Sequence, residues 1–413
     1  MKSEIRDPSC WQLGADRIAW AARWMPALQA VGDRLTDTGL LRDRTVGLVL
    51  TLEPKTANLA LVLQEAGARV IVVCPAAAVT DEVAAALDRR GVTVLARSDA
   101  SAYDDRRFAL RMLDAGLDVL VDDGSEVIRL AHAERPGSLR NMAGAAEETT
   151  SGLRPLRVME SRGELAIPCL AVNDARSKYL FDNVYGTGQS CVMAALDLSG
   201  LRIAGKVCVV AGYGWVGTGI ARCAHALGAR VIVSEVNPFQ ALRAHHDGFE
   251  VRPLISACED ADLVFSATGI AHTVALEHLI AMKDCAFVAV GGGVPQEIAL
   301  ADLTDSSTEV VSVRKNVTRY TLHTGRVVHI LADGECVNCA AAEGNPIEIM
   351  DLSLAVQALA VEHLLRHGAE MRPGVHPLPE ALDEHVARVK LDALGIRIDR
   401  TTDRQREFLG RGL

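Results

Sequence analysis

The segment best suited to specific chemistry is a glycine-rich turn between an apolar run, Val207–Ala211, and a helical pattern. A buried parallel strand needs such an unbroken apolar run. Gly212 permits a tight turn, Gly214 lets the backbone approach a pyrophosphate, and Gly217 allows a helix to pack closely on the strand. The N–H groups and the dipole of that helix would favour bound phosphate. The alternative is a structural turn that binds nothing.

An acidic residue closes the next predicted strand, residues 230–235. Glu235 follows the turn by about 20 residues, where dinucleotide-binding folds contact the ribose hydroxyls. Its negative charge would repel a 2′-phosphate. The turn, the strands and the acid together predict a Rossmann domain that binds NAD in preference to NADP, with Trp215 and Val216 also at the cofactor.

Acids, hydroxyls, amides and one lysine are concentrated in four other short segments. These are residues 122–124, 147–152, 173–186 and 337–346. Carboxylates and a lysine in a cleft can exchange protons with a substrate, because burial and neighbouring charges tune their pKa values. Taken singly, these residues have a simpler interpretation: an Asp or Asn before a turn often caps a helix, and Glu147 and Glu148 would be surface acids.

Apolar runs that alternate with helical patterns must position these segments. Strands are predicted at residues 45–50, 69–74, 92–96, 117–122, 261–267, 285–290 and 327–331, in addition to the two above. Helices are predicted between them, for example at residues 55–66 and 81–90. This alternation predicts an α/β protein with two doubly wound parallel-sheet domains and a cleft between them.

The expected organisation has four parts. They are a substrate-binding domain at 1–180, a Rossmann NAD-binding domain at 188–343, a helical return to the substrate domain at 347–377, and a short helical C-terminal segment at 378–413.

Composition and charge exclude several classes of protein. The chain of 413 residues is 49% hydrophobic and 23% charged, as expected for globular domains, and its net charge of −10 disfavours a nucleic-acid partner. No apolar run reaches the roughly 18 residues of a membrane span, and the N-terminus lacks a signal-peptide pattern. The ten scattered cysteines indicate a reducing cytoplasm. Cys336 and Cys339 form a C-x-x-C pair that we expect to pack rather than do redox chemistry, and no metal site is predicted.

The order and spacing of the polar segments and the glycine turn resemble the S-adenosylhomocysteine hydrolase (adenosylhomocysteinase) family along nearly the whole chain. Supporting landmarks lie at residues 25–28, 282–284 and 373–379. The resemblance implies a tightly held NAD that oxidises the 3′-hydroxyl of an adenosyl substrate. The ketone then acidifies the neighbouring C4′–H, the 5′-thiol leaves, water adds, and the ketone is reduced again.

The resemblance also assigns roles to individual residues. Lys178 and Asp182 would handle the proton of the 3′-hydroxyl, with burial beside carboxylates tuning the lysine toward useful basicity. Asp123 and Glu148 would line the substrate pocket as further catalytic acids. The remaining matches are Asn173 at the substrate, and Asn183, Thr149, Thr150, Ser151, Gly292 and Asn338 at the cofactor.

Several positions depart from the family pattern. The histidine expected after the first strand is absent from residues 50–56, and the first histidine of the chain is His132. The other departures are Gly293 at or near a second family histidine, Thr187 for a cysteine, Asn345 for a histidine that frames the adenine, and Trp215 for an aspartate. The chain stops at Leu413 without the family's lysine- and tyrosine-bearing tail, so we expect NAD to be less tightly trapped.

What survives is the NAD site and the lysine–carboxylate set, whereas the histidines of the later proton transfers are lost. Each general acid or base typically contributes about 10²–10⁴-fold to a rate. Glu53 and Lys55 bring charge to the former adenine-facing segment, and we expect them to bind a different substrate together with Asn345, or to act as acid or base toward it. The alternative is that Glu53 and Lys55 are solvated residues at the start of a helix.

We therefore expect an NAD-dependent enzyme that oxidises a secondary, 3′-type hydroxyl of a nucleoside- or sugar-like small molecule, with or without coupled elimination and addition. One alternative is a genuine S-adenosylhomocysteine hydrolase with relocated acid–base groups. Another is a non-catalytic, NAD-binding regulator. By resemblance the chain would be a cytoplasmic homodimer or homotetramer with no nucleic-acid or membrane partner.

Overall fold

A computed structural model describes residues 1–410 as two open sheets covered by helices. The strands are β1 (Thr45–Val49), β2 (Arg69–Val73), β3 (Thr93–Leu95), β4 (Val119–Asp122), β5 (Gly144–Glu147), β6 (Pro168–Ala171), β7 (Val207–Ala211), β8 (Arg230–Ser234), β9 (Glu250–Val251), β10 (Leu263–Ser266), β11 (Ala286–Val290), β12 (Ser307–Arg314), β13 (Val317–Leu322), β14 (Val327–Leu331) and β15 (Gly374–Pro377). Residues 411–413, the end of the predicted C-terminal segment, lie outside the described residues.

Helices connect these strands and cover both faces of each sheet. They are α1 (Trp11–Ala22), α2 (Pro26–Thr38), α3 (Pro54–Glu65), α4 (Asp81–Arg89), α5 (Ala102–Leu113), α6 (Glu126–Glu134), α7 (Thr150–Ser161), α8 (Arg176–Lys178), α9 (Gly188–Ser199), α10 (Trp215–Ala226), α11 (Pro238–His246), α12 (Leu254–Cys258), α13 (Leu276–Ala281), α14 (Leu300–Asp305), α15 (Val337–Ala340), α16 (Ile347–His367), α17 (Glu380–Ala393) and α18 (Asp403–Gly410). A π-helix, Tyr179–Thr187, joins α8 to α9. None of the described helices is both long and apolar enough to cross a membrane.

The first sheet has the order β15-β6-β5-β4-β1-β2-β3, and every neighbouring pair is parallel. Its strands are buried on both faces: Val46 and Leu48 of β1 belong to one apolar core, and Val49 belongs to the other. Such two-sided burial is what continuous apolar runs require. The strand order reverses between β1 and β4, because the chain builds one half of the sheet before it crosses to the other.

The second sheet has the order β12-β13-β14-β11-β10-β7-β8-β9. Val210 and Phe265 point into one of its apolar cores, and Val209 and Val264 point into the other. The strand order again reverses, here between β7 and β10. The predicted doubly wound architecture is confirmed for both sheets. The sequence analysis did not predict that β13 pairs antiparallel with both β12 and β14, which extends the second sheet at one edge.

Helix α16 returns the chain to the first sheet, where it packs on α2, α3, β4 and β5. Asp351 anchors this return. Its fully buried carboxylate accepts hydrogen bonds from the backbone N–H groups of Ala27 and Leu28 at 3.0 and 2.8 Å, at the start of α2, and pairs with Lys390 at 2.7 Å. A carboxylate at a helix N-terminus is stabilised by the helix dipole. The predicted domain boundaries themselves stay predictions.

Candidate active site

The carboxyl ends of parallel strands from both sheets face one cavity of about 630 Å³. Ligands of doubly wound sheets bind outside these strand ends, where the strand order reverses. Glu53 after β1 and Asp123 after β4 line the cavity from the first sheet. Gly214 after β7 and Thr268 after β10 line it from the second. Both reversal points therefore open into the same cavity.

Most of the predicted site residues line this cavity. They are Glu53, Lys55, Asp123, Glu148, Thr149, Thr150, Ser151, Asn173, Lys178, Asp182, Asn183, Gly214, Trp215, Val216, Gly292, Asn338 and Asn345. Gly212, Gly217 and Glu235 are not in its lining, and they shape the glycine turn from behind.

Lys178 lies at the centre of the polar residues. Its Nζ is 3.0 Å from Oδ1 of Asn183, 3.5 Å from a carboxylate oxygen of Asp182 and 3.8 Å from one of Glu148. All four side chains are buried, with the lysine only 4% exposed. The structure thus brings together residues that the sequence separates into two segments.

Helix α8 carries Lys178 and leads directly into the π-helix. Asp383, on α17, caps α8 by accepting hydrogen bonds from the N–H groups of Arg176 and Ser177 at 2.6 and 2.9 Å. In a π-helix the backbone bonds span five residues, so the positions four and five residues after Lys178 both lie beside it. π-Helical turns are rare in proteins, but those that do occur are often found at functional sites.

Burial alone would lower the pKa of Lys178, but the charges of Asp182, Glu148 and Asp123 outweigh burial and raise it. The expectation that burial tunes this lysine toward useful basicity is therefore wrong for this arrangement of charges. The ammonium is held protonated, so it must pass a proton to a carboxylate before it can accept one from a hydroxyl.

Burial raises the pKa of two acids close to Lys178, Glu148 and Asp123. Burial raises the pKa of Glu148 to about 8 although Lys178 opposes the shift, and Gln357 donates a hydrogen bond to its Oε2. Burial also raises the pKa of Asp123, opposed by Lys178 and by the hydroxyl of Thr149. A carboxyl group with a raised pKa, such as Glu148, can both give and take protons in a reaction cycle.

A hydrogen-bond network fixes the carboxylate of Asp182. Its Oδ1 accepts from Nδ2 of Asn345 at 2.7 Å and its Oδ2 accepts from the hydroxyl of Ser353 at 2.9 Å. The carbonyl oxygen of Asn345 in turn accepts from Nδ2 of Asn338 at 3.0 Å and from the hydroxyl of Ser190 at 2.9 Å. Ser353 and Ser190 were not identified from the sequence, because each is a lone serine within a helix.

The amide of Asn345 has no hydrogen-bonding capacity left for a ligand. Its second amide hydrogen goes to the hydroxyl of Thr187 at 3.1 Å, so both donors and both acceptor positions are used within the protein. In this structure Asn345 therefore positions Asp182, and its predicted contact with the substrate stays a prediction.

Glu147 and Asp122 are fully buried beneath the cavity, and Glu148 is only 6% exposed, so the interpretation of the glutamates as surface acids is wrong. Asp122 and Glu147 are register partners on the neighbouring strands β4 and β5. Burial raises the pKa of Asp122 to about 7. Burial and the charge of Asp122 raise the pKa of Glu147 well above its usual value.

Three hydroxyl residues stand at the start of α7. Thr149 caps the helix by accepting a hydrogen bond from the N–H of Gly152, and Ser151 donates to the Thr149 hydroxyl at 3.2 Å. Thr150 donates to Oδ1 of Asn173 at 3.1 Å. Helix capping and a place in the cavity wall are therefore compatible for Thr149.

Glu53 and Lys55 are 9% and 4% exposed, so the interpretation of both as solvated residues is wrong. The helix-start interpretation is right, because Glu53 caps α3 and accepts a hydrogen bond from the backbone N–H of Lys55 at 3.0 Å. The Lys55 Nζ lies 2.9 Å from the Glu53 carboxylate and donates to the carbonyl of Glu343 at 2.7 Å. Arg17, which the sequence analysis did not identify, pairs with the Glu343 side chain at 2.8 Å.

The glycine turn fits a bound dinucleotide. Gly212 has a φ of +94°, which favours glycine, and a Cβ on Gly217 would overlap the carbonyl oxygen of Gly212. A Cβ on Gly214 would meet nothing within 4 Å, so the backbone is open to a phosphate there. Glu235 accepts hydrogen bonds from the N–H groups of Tyr213 and Val236, both at 2.7 Å, which fix its carboxylate at the end of β8 beside the glycine turn, and its predicted contact with the ribose stays a prediction.

Arg243 adds a positive charge beside this turn. It donates hydrogen bonds to the carbonyl of Tyr213 and the hydroxyl of Thr218, and it lies 5.6 Å from the ring of Trp215. The Trp215 ring also packs against the Tyr179 ring, with the ring centroids 4.7 Å apart. This contact joins the start of α10 to the start of the π-helix. No sequence motif identified Arg243, because it lies in α11, about 30 positions along the chain from the turn that it contacts.

The glycines after β11 are tightly placed. A Cβ on Gly292 would overlap the carboxylate of Glu297, and one on Gly293 would lie 3.2 Å from the hydroxyl oxygen of Ser151. Gly293, which stands near the place of a family histidine, is therefore beside the hydroxyl residues of α7.

The Cys336–Cys339 pair lies in the cavity wall rather than in an apolar core. Cys336 donates a hydrogen bond to Oδ1 of Asn338 at 3.0 Å, and Cys339 is exposed, so the expected packing role is wrong for Cys339. Within residues 1–410, no group of three or more His, Cys, Asp or Glu side chains is arranged to hold a metal ion.

Comparisons with known proteins agree over nearly the full length. Residues 2–138 match the family model of S-adenosyl-L-homocysteine hydrolase, and residues 183–344 match the model of its NAD binding domain. The adenosylhomocysteinase of Thermotoga maritima is 44% identical over 96% of this chain and 98% of its own. The S-inosyl-L-homocysteine hydrolase of Methanopyrus kandleri is 43% identical over 98% and 96%. The adenosylhomocysteinase of Aquifex aeolicus is 40% identical over 99% and 98%.

Proposed function

The chain belongs to the S-adenosyl-L-homocysteine hydrolase family, whose cofactor is NAD, and from this premise we propose that it oxidises a secondary, 3′-type hydroxyl of a nucleoside-like substrate. The substrate differs from S-adenosylhomocysteine in the part that contacts Glu53 and Lys55. Elimination and addition at the neighbouring carbons follow the oxidation.

One observation carries this proposal: Lys178 lies within 3.8 Å of Asn183, Asp182 and Glu148 in the same cavity as the open backbone of Gly214. An alcohol is oxidised only where a base and a hydride acceptor meet, and bound NAD supplies the acceptor. The polar cluster supplies the base.

The proton steps follow from the charges at the cluster. Lys178 passes its proton to the Asp182 carboxylate, accepts the hydroxyl proton, and so returns to its charged form. Asp123 takes the proton from the carbon beside the new ketone, and its raised pKa lets it return that proton later. Glu53 is the second candidate for this carbon-bound proton, because its pKa is also raised by burial.

The altered substrate is inferred from the segment 50–56. In place of the family histidine, this wall carries a buried Lys55 that retains one hydrogen for a ligand after its bonds to Glu53 and Glu343. A nucleobase that places a hydrogen-bond acceptor beside the Lys55 ammonium would therefore bind better than a nucleobase that offers only an amino group there.

The second candidate function is hydrolysis of an S-nucleosylhomocysteine itself. Relatives named for the adenosyl and for the inosyl compound are equally similar to this chain, at 40–44% identity. Retention of the Lys178–Asp182–Glu148 set also supports it. That retained set speaks against the third reading, a regulator without catalysis.

The test is a substrate panel with NAD-loaded protein. S-adenosylhomocysteine, S-inosylhomocysteine and free nucleosides are added separately, and bound NADH absorbance and free thiol are measured. The proposal expects NADH with at least one nucleoside-like compound and slow or no thiol release from S-adenosylhomocysteine. Fast thiol release from S-adenosylhomocysteine would establish the second function, and a panel in which no compound yields either NADH or thiol would refute both.

We also propose, on family membership, a cytoplasmic homodimer or homotetramer acting on small molecules. The ten cysteines of the chain are all unpaired in the described structure, which supports a reducing compartment. Light scattering of the purified protein tests the assembly, and a monomer would contradict it.

A further inference from the structure

Two hydroxyls link the cavity to a buried carboxyl group. The hydroxyl of Ser151, in the cavity wall, donates to Oγ1 of Thr149 at 3.2 Å. That hydroxyl donates to Oε1 of Glu147 at 2.8 Å. Because Glu147 is fully buried, the hydrogen bonds from Ser151 through Thr149 to Glu147 form a continuous path from the cavity to the interior.

The path ends at a pair of carboxyl groups. Glu147 and Asp122 are register partners on parallel strands. The oxygens of Asp122 accept from the N–H groups of Asp123 and Ile128 at 3.0 and 2.8 Å, whereas Oε2 of Glu147 has no hydrogen-bond partner. Each carboxyl group disfavours the ionised form of the other, and burial together with this repulsion raises the pKa of both Asp122 and Glu147.

We propose that Asp122 and Glu147 form a proton store that exchanges protons with the substrate through the hydroxyl of Thr149. The inference rests on the proposed function, because it assigns the source and destination of the protons in that reaction. In the inward step, the substrate gives a proton to the hydroxyl of Ser151, Ser151 passes its own hydroxyl proton to Thr149, and Thr149 gives its hydroxyl proton to the Glu147 carboxylate. The outward step reverses these transfers, so no proton is created or lost.

The mouth of the path is where the chain lacks an acid–base group. A Cβ on Gly293 would lie 3.2 Å from the hydroxyl oxygen of Ser151, and Gly293 stands near the place of the second family histidine. Thr149 also contacts Asp123, which faces the cavity. The store is therefore connected to both positions at which the reaction must move a proton.

The titratable groups around Asp122 and Glu147 do not explain why these two carboxyl groups are buried side by side. The titratable groups that act on Glu147 are Asp122 and Asp123, and the thiol of Cys169 on β6 lies nearby. Among residues 1–410, no cationic side chain is among the groups that act most strongly on either carboxyl group.

Glu147 also has a structural task, which the test must separate from proton storage. Its Oε1 accepts from the N–H groups of Gly124 and Thr149, both at 2.9 Å. Glu147→Gln keeps an acceptor oxygen for these bonds and the shape of the side chain, but it cannot hold the proton.

The experiment measures the rate of bound NADH formation against pH in NAD-loaded protein, with a compound that the unmodified protein oxidises. With each variant saturated with NAD, Glu147→Gln and Thr149→Val should each slow this rate about tenfold or more, and each should remove one ionisation from the pH profile. Thr149→Ser keeps the hydroxyl and should recover most of the rate. The threonine pair carries the test even if Glu147→Gln does not fold.

Three results would overturn the proton store. One is an unchanged pH profile in Glu147→Gln or in Thr149→Val. Another is a Thr149→Ser variant as slow as Thr149→Val, which would indicate a packing effect. Absence of NADH in the unmodified protein would refute the proposed function and this inference together, whereas the first two results leave the proposed function standing.

Discussion

The Nδ2 atom of Asn345 donates a hydrogen bond to Oδ1 of Asp182 at 2.7 Å. The same aspartate lies 3.5 Å from the ammonium of Lys178. A residue just ahead of α16 therefore orients a carboxylate on the π-helix, although 163 positions separate them in the chain. The amide at position 345 thus acts on the carboxylate that lies beside the lysine.

Asn345→Ala tests this link. It leaves Oδ1 of Asp182 without its partner, and a hydrogen bond to a charged group contributes about 1.5–3 kcal/mol. We expect bound NADH formation to slow about tenfold or more, with NAD still bound. Asn141→Ala, at an exposed asparagine outside the cavity lining, is the matched control. Equal rates in the two variants would contradict the positioning role.

Gly214 and Gly217 form a matched pair for the cofactor. A Cβ on Gly217 would overlap the carbonyl of Gly212, so Gly217→Ala should lower the free energy of unfolding by about 1–3 kcal/mol. A Cβ on Gly214 would meet no protein atom within 4 Å, so Gly214→Ala should leave stability unchanged yet weaken NAD binding at least tenfold. Denaturant unfolding and NAD titration measure both. Unchanged NAD affinity in Gly214→Ala would place the cofactor elsewhere.

Glu235 should determine the choice between NAD and NADP. Its carboxylate is held by the N–H groups of Tyr213 and Val236, at the position where a 2′-phosphate would be repelled. Glu235→Gln keeps an acceptor oxygen but removes the charge, and we expect the ratio of the NADP and NAD dissociation constants to fall at least about tenfold. Glu250→Gln, on the exposed face of β9, should leave the ratio unchanged. A ratio that does not respond to Glu235→Gln would show that another group makes the choice.

Glu148 should make stability depend on pH. Burial raises its pKa from 4.5 to about 8, so between these values the folded protein binds a proton that the unfolded chain has lost. Stability therefore falls as pH rises through this window, by up to about 1.4 kcal/mol per pH unit for one proton. Glu148→Gln should flatten this slope, which denaturant unfolding at several pH values measures. Glu164→Gln, at an exposed site, should keep the slope, and equal slopes in the two variants would refute the assignment.

The strands were predictable where side chains favour them and unpredictable where only neighbours do. The valine-rich runs of β1 and β2 were predicted as strands, and their observed ends lie within one residue of the predicted ends. Strands β5 and β6, Gly144–Glu147 and Pro168–Ala171, were missed because glycine, alanine and proline rarely indicate a strand. Pairing with β4 imposes the extended conformation on β5, and β5 does the same for β6.

The residues of the candidate site divide in the same way, into those that the local sequence indicated and those that only the folded chain brings in. Asp123, Lys178 and Asn183 lie in segments whose order and spacing indicated a site. Gln357 and Ser353 did not, because they are ordinary polar positions of α16 that reach Glu148 and Asp182 only when the chain returns to the first sheet. The burial of Glu53 and Lys55 could not be predicted from the sequence, because charged residues at the start of a helix usually face solvent.

The most direct test of the account is bound NADH in NAD-loaded protein and in its Lys178→Ala variant. Circular dichroism and NAD titration first establish that the variant folds and retains the cofactor. The account predicts NADH absorbance in the unmodified protein on addition of a nucleoside-like alcohol, and none in Lys178→Ala. NADH formed at the same rate by both proteins would contradict it.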